Sequence, residues 1–328
     1  MIQGDNSGSM DDGVRLPPGL SEHPVAAIAL RQSTAVRIDN LALSADNYAS
    51  QSYPFGEDVA ALGVAEQSWV EISDVAFSGG DFTVDVNNGS QASLRQGISI
   101  VGYNRAGLSA YNHGLIRTHD PISVSGIVGQ STETYPYAIL AENNSVVEIT
   151  AGGSFSGASG QPVDEYPTAV WSGDNSSIRF ADSAIPTTIN GAIESAYSSM
   201  VRISGNLVLN GAMAAYHRGY IRAAGVTQSG GPIYSGDAST IRFESSRLTP
   251  PNAAFPWATL DIYRQGNLRA NDTEVNLNGN RIYVSGFGFL NLRGETDLNF
   301  ADISCHDRNQ ISIRSSVDNV GFVSCFQP

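Results

Sequence analysis

The sequence predicts an all-β solenoid of stacked coils. Three observations predict it. A five-residue pattern recurs along the 328 residues: a small residue, any residue, an aliphatic, usually Arg, then an apolar residue. Around each recurrence the apolar period is two, as in a strand with one face inward. The composition is rich in Gly, Ser, Thr, Asn and Val, with few runs suited to a helix. A unit of about twenty residues repeated this way is the mark of a repeat architecture.

The aliphatic anchors are Val36, Val70, Leu94, Ile116, Val147, Ile178, Val201, Ile221, Ile241, Leu268, Leu290 and Ile311. Val201, Ile221 and Ile241 are separated by 20 residues, the length of a bare coil. Longer intervals carry insertions, which repeat proteins tolerate in loops. Two positions before the anchor the side chain is small in every coil but the last, where Asn309 stands. A tight corner admits little bulk there.

Each anchor strand is followed by a second short strand ending near Gly, as in Ile122-Ser123-Val124-Ser125-Gly126 and Leu207-Val208-Leu209-Asn210-Gly211. A third precedes the next corner, as in Ala138-Ile139-Leu140-Ala141 and Thr168-Ala169-Val170-Trp171. Three strands and three turns per coil is the plan of a right-handed parallel β-helix, here of about twelve coils. Each coil buries itself on its neighbours, so one domain over 1–328 is expected. Ile2-Gln3-Gly4-Asp5-Asn6 reads as the tail of a strand and its turn, so the chain is expected to begin in mid-coil, as a piece of a longer protein. The segment 303–328 is expected to close the other end.

On this repeat the sequence resembles right-handed β-helix proteins of the pectin-lyase-like type. Secreted polysaccharide-acting enzymes, phage tailspikes and cell-surface passenger domains belong to that group. The resemblance covers nearly the whole chain and rests on the repeat alone; no motif picks out one family. It implies an extracellular, cell-surface or virion location, and a homotrimer if the chain is phage-derived.

The net charge is −14 and the pI about 4.6, with all eighteen basic residues Arg and no Lys. This balance argues against a nucleic-acid partner, because phosphate binding needs a net positive face. No stretch is long and apolar enough to insert in a bilayer. Cys305 and Cys325 fall in the last two coils. In an exported protein a disulfide there would clamp an open end, the alternative being two buried thiols. Two Cys and His306 fall short of a four-ligand metal site, and no cofactor is expected.

Two files of side chains are candidates for function. The first is the residue after the anchor: Arg37, Arg95, Arg117, Arg179, Arg202, Arg222, Arg242 and Arg269, with Glu71, Glu148, Asn291 and Ser312 in the same column. From Arg179 to Arg269 five consecutive coils carry Arg, with like charges about 5 Å apart. Bare, such a row repels itself. Neighbouring acids or an anionic polysaccharide would offset it.

The second file lies at the corner, four residues before the anchor: Asn143, Asp174, Tyr197, His217, Asp237 and Arg264. His217 beside Asp237 is a candidate general base and Tyr197 a candidate proton donor. Asp174 and Asp237 stand three coils apart, too far for a glycosidase carboxylate pair. Insertions at 39–60, 127–137, 157–167 and 248–257 carry aromatic and Pro residues. Among them Tyr135, Tyr137 and Tyr166 are candidate glycan contacts.

The lead expectation is non-enzymatic: an exported or surface-displayed rod that binds an anionic polysaccharide, a cell-surface glycan or another partner, or serves as a spacer. The alternative is a polysaccharide lyase or glycoside hydrolase, as in a tailspike depolymerase.

Overall fold

A computed structural model describes residues 2–3, 25–32, 34–45, 59–103, 105–126, 136–157, 168–249, 260–277, 281–306, 310–314 and 316–326. Among them there is no helix, and every registered strand pairing is parallel. The strands build a β-solenoid of about ten turns, the parallel β-helix plan the repeat predicted. The chain divides into two compact units, Met1–Gln161 with Pro167–Trp171, and Pro162–Tyr166 with Ser172–Pro328.

In unit 1 the anchor strands are Ala35–Ala45, Trp69–Gly79, Gln91–Leu94, Leu115–Thr118 and Val146–Ile149. Their register aligns Val36, Val70, Ala92, Ile116 and Val147. One expected anchor is therefore misplaced. Leu94 pairs with Ile72 and Thr118, two positions further along, and Ala92 takes the anchor place. The column position between Glu71 and Arg117 is accordingly held by Ser93, and Arg95 is not part of the file. The coil fills its anchor with a small Ala, so an aliphatic search overshoots by one strand period. With Ala92 as anchor, Ser90 falls at the small corner position, where it is fully buried.

In unit 2 the anchors Ile178, Val201, Ile221, Ile241, Leu268, Leu290 and Ile311 lie in unbroken register. Ile178, Val201, Ile221 and Ile241 are completely buried, while the column residue beside each is at least partly exposed. The apolar side chains thus share one interior. The second expected strand is present at Ile122–Ser125 and within Met200–Ala215, and the third at Tyr137–Ala141 and Arg281–Val284. Cys305 and Cys325 are register partners on adjacent third strands and are joined as a disulfide.

The corner before each anchor is a four-residue turn. In Tyr216–Gly219 the Gly219 N–H donates to the Tyr216 carbonyl at 2.9 Å, and both central residues have positive φ, His217 at 49° and Arg218 at 66°. This is the left-handed type I′ arrangement. It recurs at Asn88–Gly89, Asn112–His113, Asn143–Asn144, Asp174–Asn175, Tyr197–Ser198, Asp237–Ala238, Arg264–Gln265 and Gly286–Phe287.

Crowding explains the small residue that closes the turn. A Cβ on Gly219 would sit 1.9 Å from the Ser195 carbonyl oxygen of the coil below, and one on Gly266 would sit 1.9 Å from that of Ser235. Where Ser stands instead, its hydroxyl donates to the equivalent carbonyl, as Ser239 does to Ala215 at 2.6 Å. In unit 1 the same hydroxyls accept from the preceding corner's backbone, with Ser68 N–H to Ser90 Oγ at 3.1 Å.

Candidate functional site

The arginine file runs along the outer side of the anchor strands. In unit 1 it is interleaved with acids. Arg37 Nε is 3.9 Å from Glu71, and Arg95 reaches the same Glu71 at 3.3 Å from outside the file. Arg117 pairs with Glu148 at 2.6 Å. Here the neutralisation is built into the column itself.

In unit 2 Arg179, Arg202, Arg222, Arg242 and Arg269 are partners in register on adjacent strands. Glu244, three residues after its anchor, points to the same face and clamps two of them. It accepts from Arg222 at 2.9 Å and pairs with Arg242. The hydrogen bond from Arg222, ahead of the charges of Arg222 and Arg242, holds the Glu244 carboxyl below the usual range against the opposing pull of burial. Arg269 has an amide neighbour, Asn267 Oδ1, at 3.5 Å. Arg202 is exposed and has no carboxylate within ion-pair distance among the described residues. Alternation places Glu244 on the Arg face, so the sequence carried that signal.

The corner file of unit 2 is a ladder in its own right. The N–H of Ser198 donates to the His217 carbonyl, that of Arg218 to Asp237, that of Ala238 to Arg264 and that of Gln265 to Gly286, all at 2.9–3.1 Å. The structure therefore brings Tyr197, His217 and Asp237 together as expected. The rings of Tyr197 and His217 stack at 5.0 Å with 16° between planes. Tyr216 meets His217 edge-on at 5.8 Å, and its hydroxyl donates to Glu194.

His217 Nδ1 lies 3.8 Å from Asp237, too long for a hydrogen bond. Asp237 is also 3.6 Å from Arg264 on its other side. Asp237, Ala238, Arg264, Gln265, Gly286 and Phe287 line a shallow depression of about 440 Å³.

A third feature was not legible in the repeat. Asp261 stands on the third strand between register partners Tyr234 and Tyr283. Its Oδ1 is buried without a hydrogen-bond partner among the described residues, and burial lifts the carboxyl to about 6. Burial, followed by the charges of Asp237 and Asp261, raises the nearby Tyr263 hydroxyl.

Tyr137 opens the strand Tyr137–Ala141, half-buried against Ala60, Phe82, Ala106 and Leu140, with its ring 6.1 Å from Trp171. Tyr135 and Tyr166 lie outside the described residues, as do most of the four insertions. No group of three or more metal-ligating side chains occurs among the described residues. No family model, no curated protein and no solved structure matches this chain.

Proposed function

We propose that the protein is an exported or surface-displayed β-solenoid whose arginine file in unit 2 binds an acidic glycan. The observation that carries this is Arg202: an exposed guanidinium without a carboxylate partner among the described residues, flanked in register by Arg179 and Arg222. A column that brings guanidinium forks to about 5 Å spacing suits a ligand with regularly spaced carboxylates or sulfates. The disulfide at Cys305–Cys325 agrees with an oxidising location.

The test is a glycan array together with titrations of alginate, pectate and a sulfated glycan. Binding should weaken steeply with salt. It should fall by about tenfold or more in a protein carrying both Arg202→Ala and Arg222→Ala. Undiminished binding by the double variant discards the reading.

Polysaccharide cleavage is the second reading, favoured by the Tyr197–His217–Asp237 stack. The separation of His217 from Asp237 and the competing Arg264 weigh against an acid–base pair in this state. Appearance of unsaturated sugars or new reducing ends from alginate, pectate or lipopolysaccharide O-chains decides it. A tailspike would in addition be a trimer by light scattering.

A further inference from the structure

The corners repeat one backbone geometry with different residue chemistry. Two successive left-handed residues favour Asn, Asp and Gly, and a bulky side chain at positive φ is disfavoured. In unit 1 Asn88–Gly89, Asn143–Asn144 and Asn112 follow that preference, with Glu66–Gln67 as the exception that carries long side chains. Unit 2 places Tyr197, His217, Arg218, Arg264 and Phe287 in the same left-handed positions.

These side chains do not repay the strain by packing inward. Tyr197 is 50% exposed and Phe287 61%. Core burial does not select them: Tyr197 and His217 pack on each other along the corner, and Tyr, Arg and Phe held at positive φ without inward packing point to a use at the surface.

Their surroundings define the use. Phe287 offers a bare flat apolar face beside Gln265 and the Asp237–Arg264 pair, at the depression of about 440 Å³. The two charges cancel, and between them the lining supplies carboxylate acceptors, guanidinium donors and an amide. A pyranose has matching parts: one face of C–H groups and a rim of hydroxyls that both donate and accept. The ladder of backbone hydrogen bonds beneath fixes the lining before any ligand arrives, which lowers the ordering cost of binding.

We infer that this depression binds one uncharged sugar ring, its C–H face on Phe287 and its hydroxyls on Asp237, Arg264 and Gln265, with the chain continuing along the corner over His217 and Tyr197. The inference rests on the glycan-binding reading but uses a different ridge from the arginine file.

The experiment titrates the full chain with methyl glycosides and short oligosaccharides of glucose, galactose, mannose, rhamnose and N-acetylglucosamine, read by saturation-transfer NMR and calorimetry. At least one should bind saturably. Phe287→Asn should lower that affinity roughly tenfold, the scale of one lost aromatic contact. The same substitution should raise Tm by a few degrees, because Asn accepts positive φ and little packing is lost. Arg202→Ala with Arg222→Ala should leave uncharged-sugar binding unchanged. No binding of any uncharged sugar, unaltered affinity in Phe287→Asn, or a lower Tm in that variant overturns the inference. Loss of acidic-glycan binding in the arginine variant with no uncharged-sugar binding leaves the proposed function standing and removes this site alone.

Discussion

The two units use one corner and one anchor strand but decorate them differently. In unit 1 the left-handed corner positions carry Asn88, Gly89, Asn112, Asn143 and Asn144 beside Glu66, Gln67 and His113, and the arginine file is broken by Glu71, Ser93 and Glu148. In unit 2 the same positions carry Tyr197, His217, Arg264 and Phe287, and five arginines follow one another in register. The interior rules are shared: small residue at the turn, apolar anchor, buried residue two further on. The contrast separates what stacking demands from what stacking merely permits. Residues that differ between the units while the backbone stays constant are the ones free to serve binding.

The sharpest way to break this comparison is to show that the shared rules are not shared. Gly219 of unit 2 and Gly114 of unit 1 should respond alike, since a Cβ on either meets a backbone carbonyl oxygen of its own unit, Ser195 at 1.9 Å and Val86 at 2.1 Å. Adding one methyl at either place forces a backbone shift, and Gly219→Ala and Gly114→Ala should each destabilise by about 2–3 kcal/mol. Ser239→Ala, which removes a hydroxyl that donates to the Ala215 carbonyl and meets the Ser235 hydroxyl at 3.2 Å, should cost about 1 kcal/mol. Denaturant melts of the three variants check the order. A tolerated Gly219→Ala would mean that the corner is looser than its contacts indicate.

The sequence made the shared part readable and the individual part only partly so. Anchors such as Val201, Ile221 and Ile241 are legible because burial imposes one chemistry at a fixed interval. The anchor at Ala92 was not, because a small apolar residue satisfies the interior without matching an aliphatic template. The corner residues Tyr197, His217 and Asp237 could be aligned by counting, yet the left-handed turn beneath them could not, since Tyr and Arg are poor signals for positive φ. Glu244 lay within reach of simple alternation. The burial of Asp261 was not, since it depends on neighbours contributed by other coils.

A middle-sized test concerns two acids of the third strands, one buried and one half-buried. Asp85 in unit 1 is only 6% exposed, and Asn87 donates to it at 2.8 Å. Asp261 in unit 2 lacks a donor on Oδ1, and burial raises it to about 6. A carboxyl raised in the folded state takes up its proton on folding between its unfolded value near 4 and its folded value near 6. Its burden on stability is therefore full above pH 6 and disappears as the pH falls toward 4. Asp261→Asn should stabilise at pH 7 by about 1–2 kcal/mol after allowing for solvent screening. It should also flatten the melting curve between pH 4 and 7. Asp85→Asn should not stabilise, since it exchanges the charge-assisted bond from the Asn87 amide for a weaker neutral one. A destabilised Asp261→Asn would show that its carboxylate has a partner in solution.

The smallest expected effect bears on how each unit neutralises its arginines. Glu244 serves Arg222 and Arg242 together, between exposed Arg202 on one side and Arg269 on the other. Glu148 in unit 1 serves Arg117, with Ser93 as that residue's other neighbour in the column. Removing the Glu244 charge leaves a longer uncompensated run, so Glu244→Gln should cost about 1 kcal/mol and Glu148→Gln about half that. Both losses should grow at low ionic strength, the first more steeply. Because Glu244 is held below its ordinary value, its contribution is complete above the unfolded value near 4.3 and is lost as the pH falls through the lower folded one. Wild type and Glu244→Gln should therefore converge in acid. The same substitution uncovers Arg222 and Arg242 for an anionic ligand, so it should tighten acidic-glycan binding while it weakens the fold. If stability and affinity fall together, Glu244 is part of the binding surface, and the contrast between a self-neutralised file and one left open to a ligand is lost.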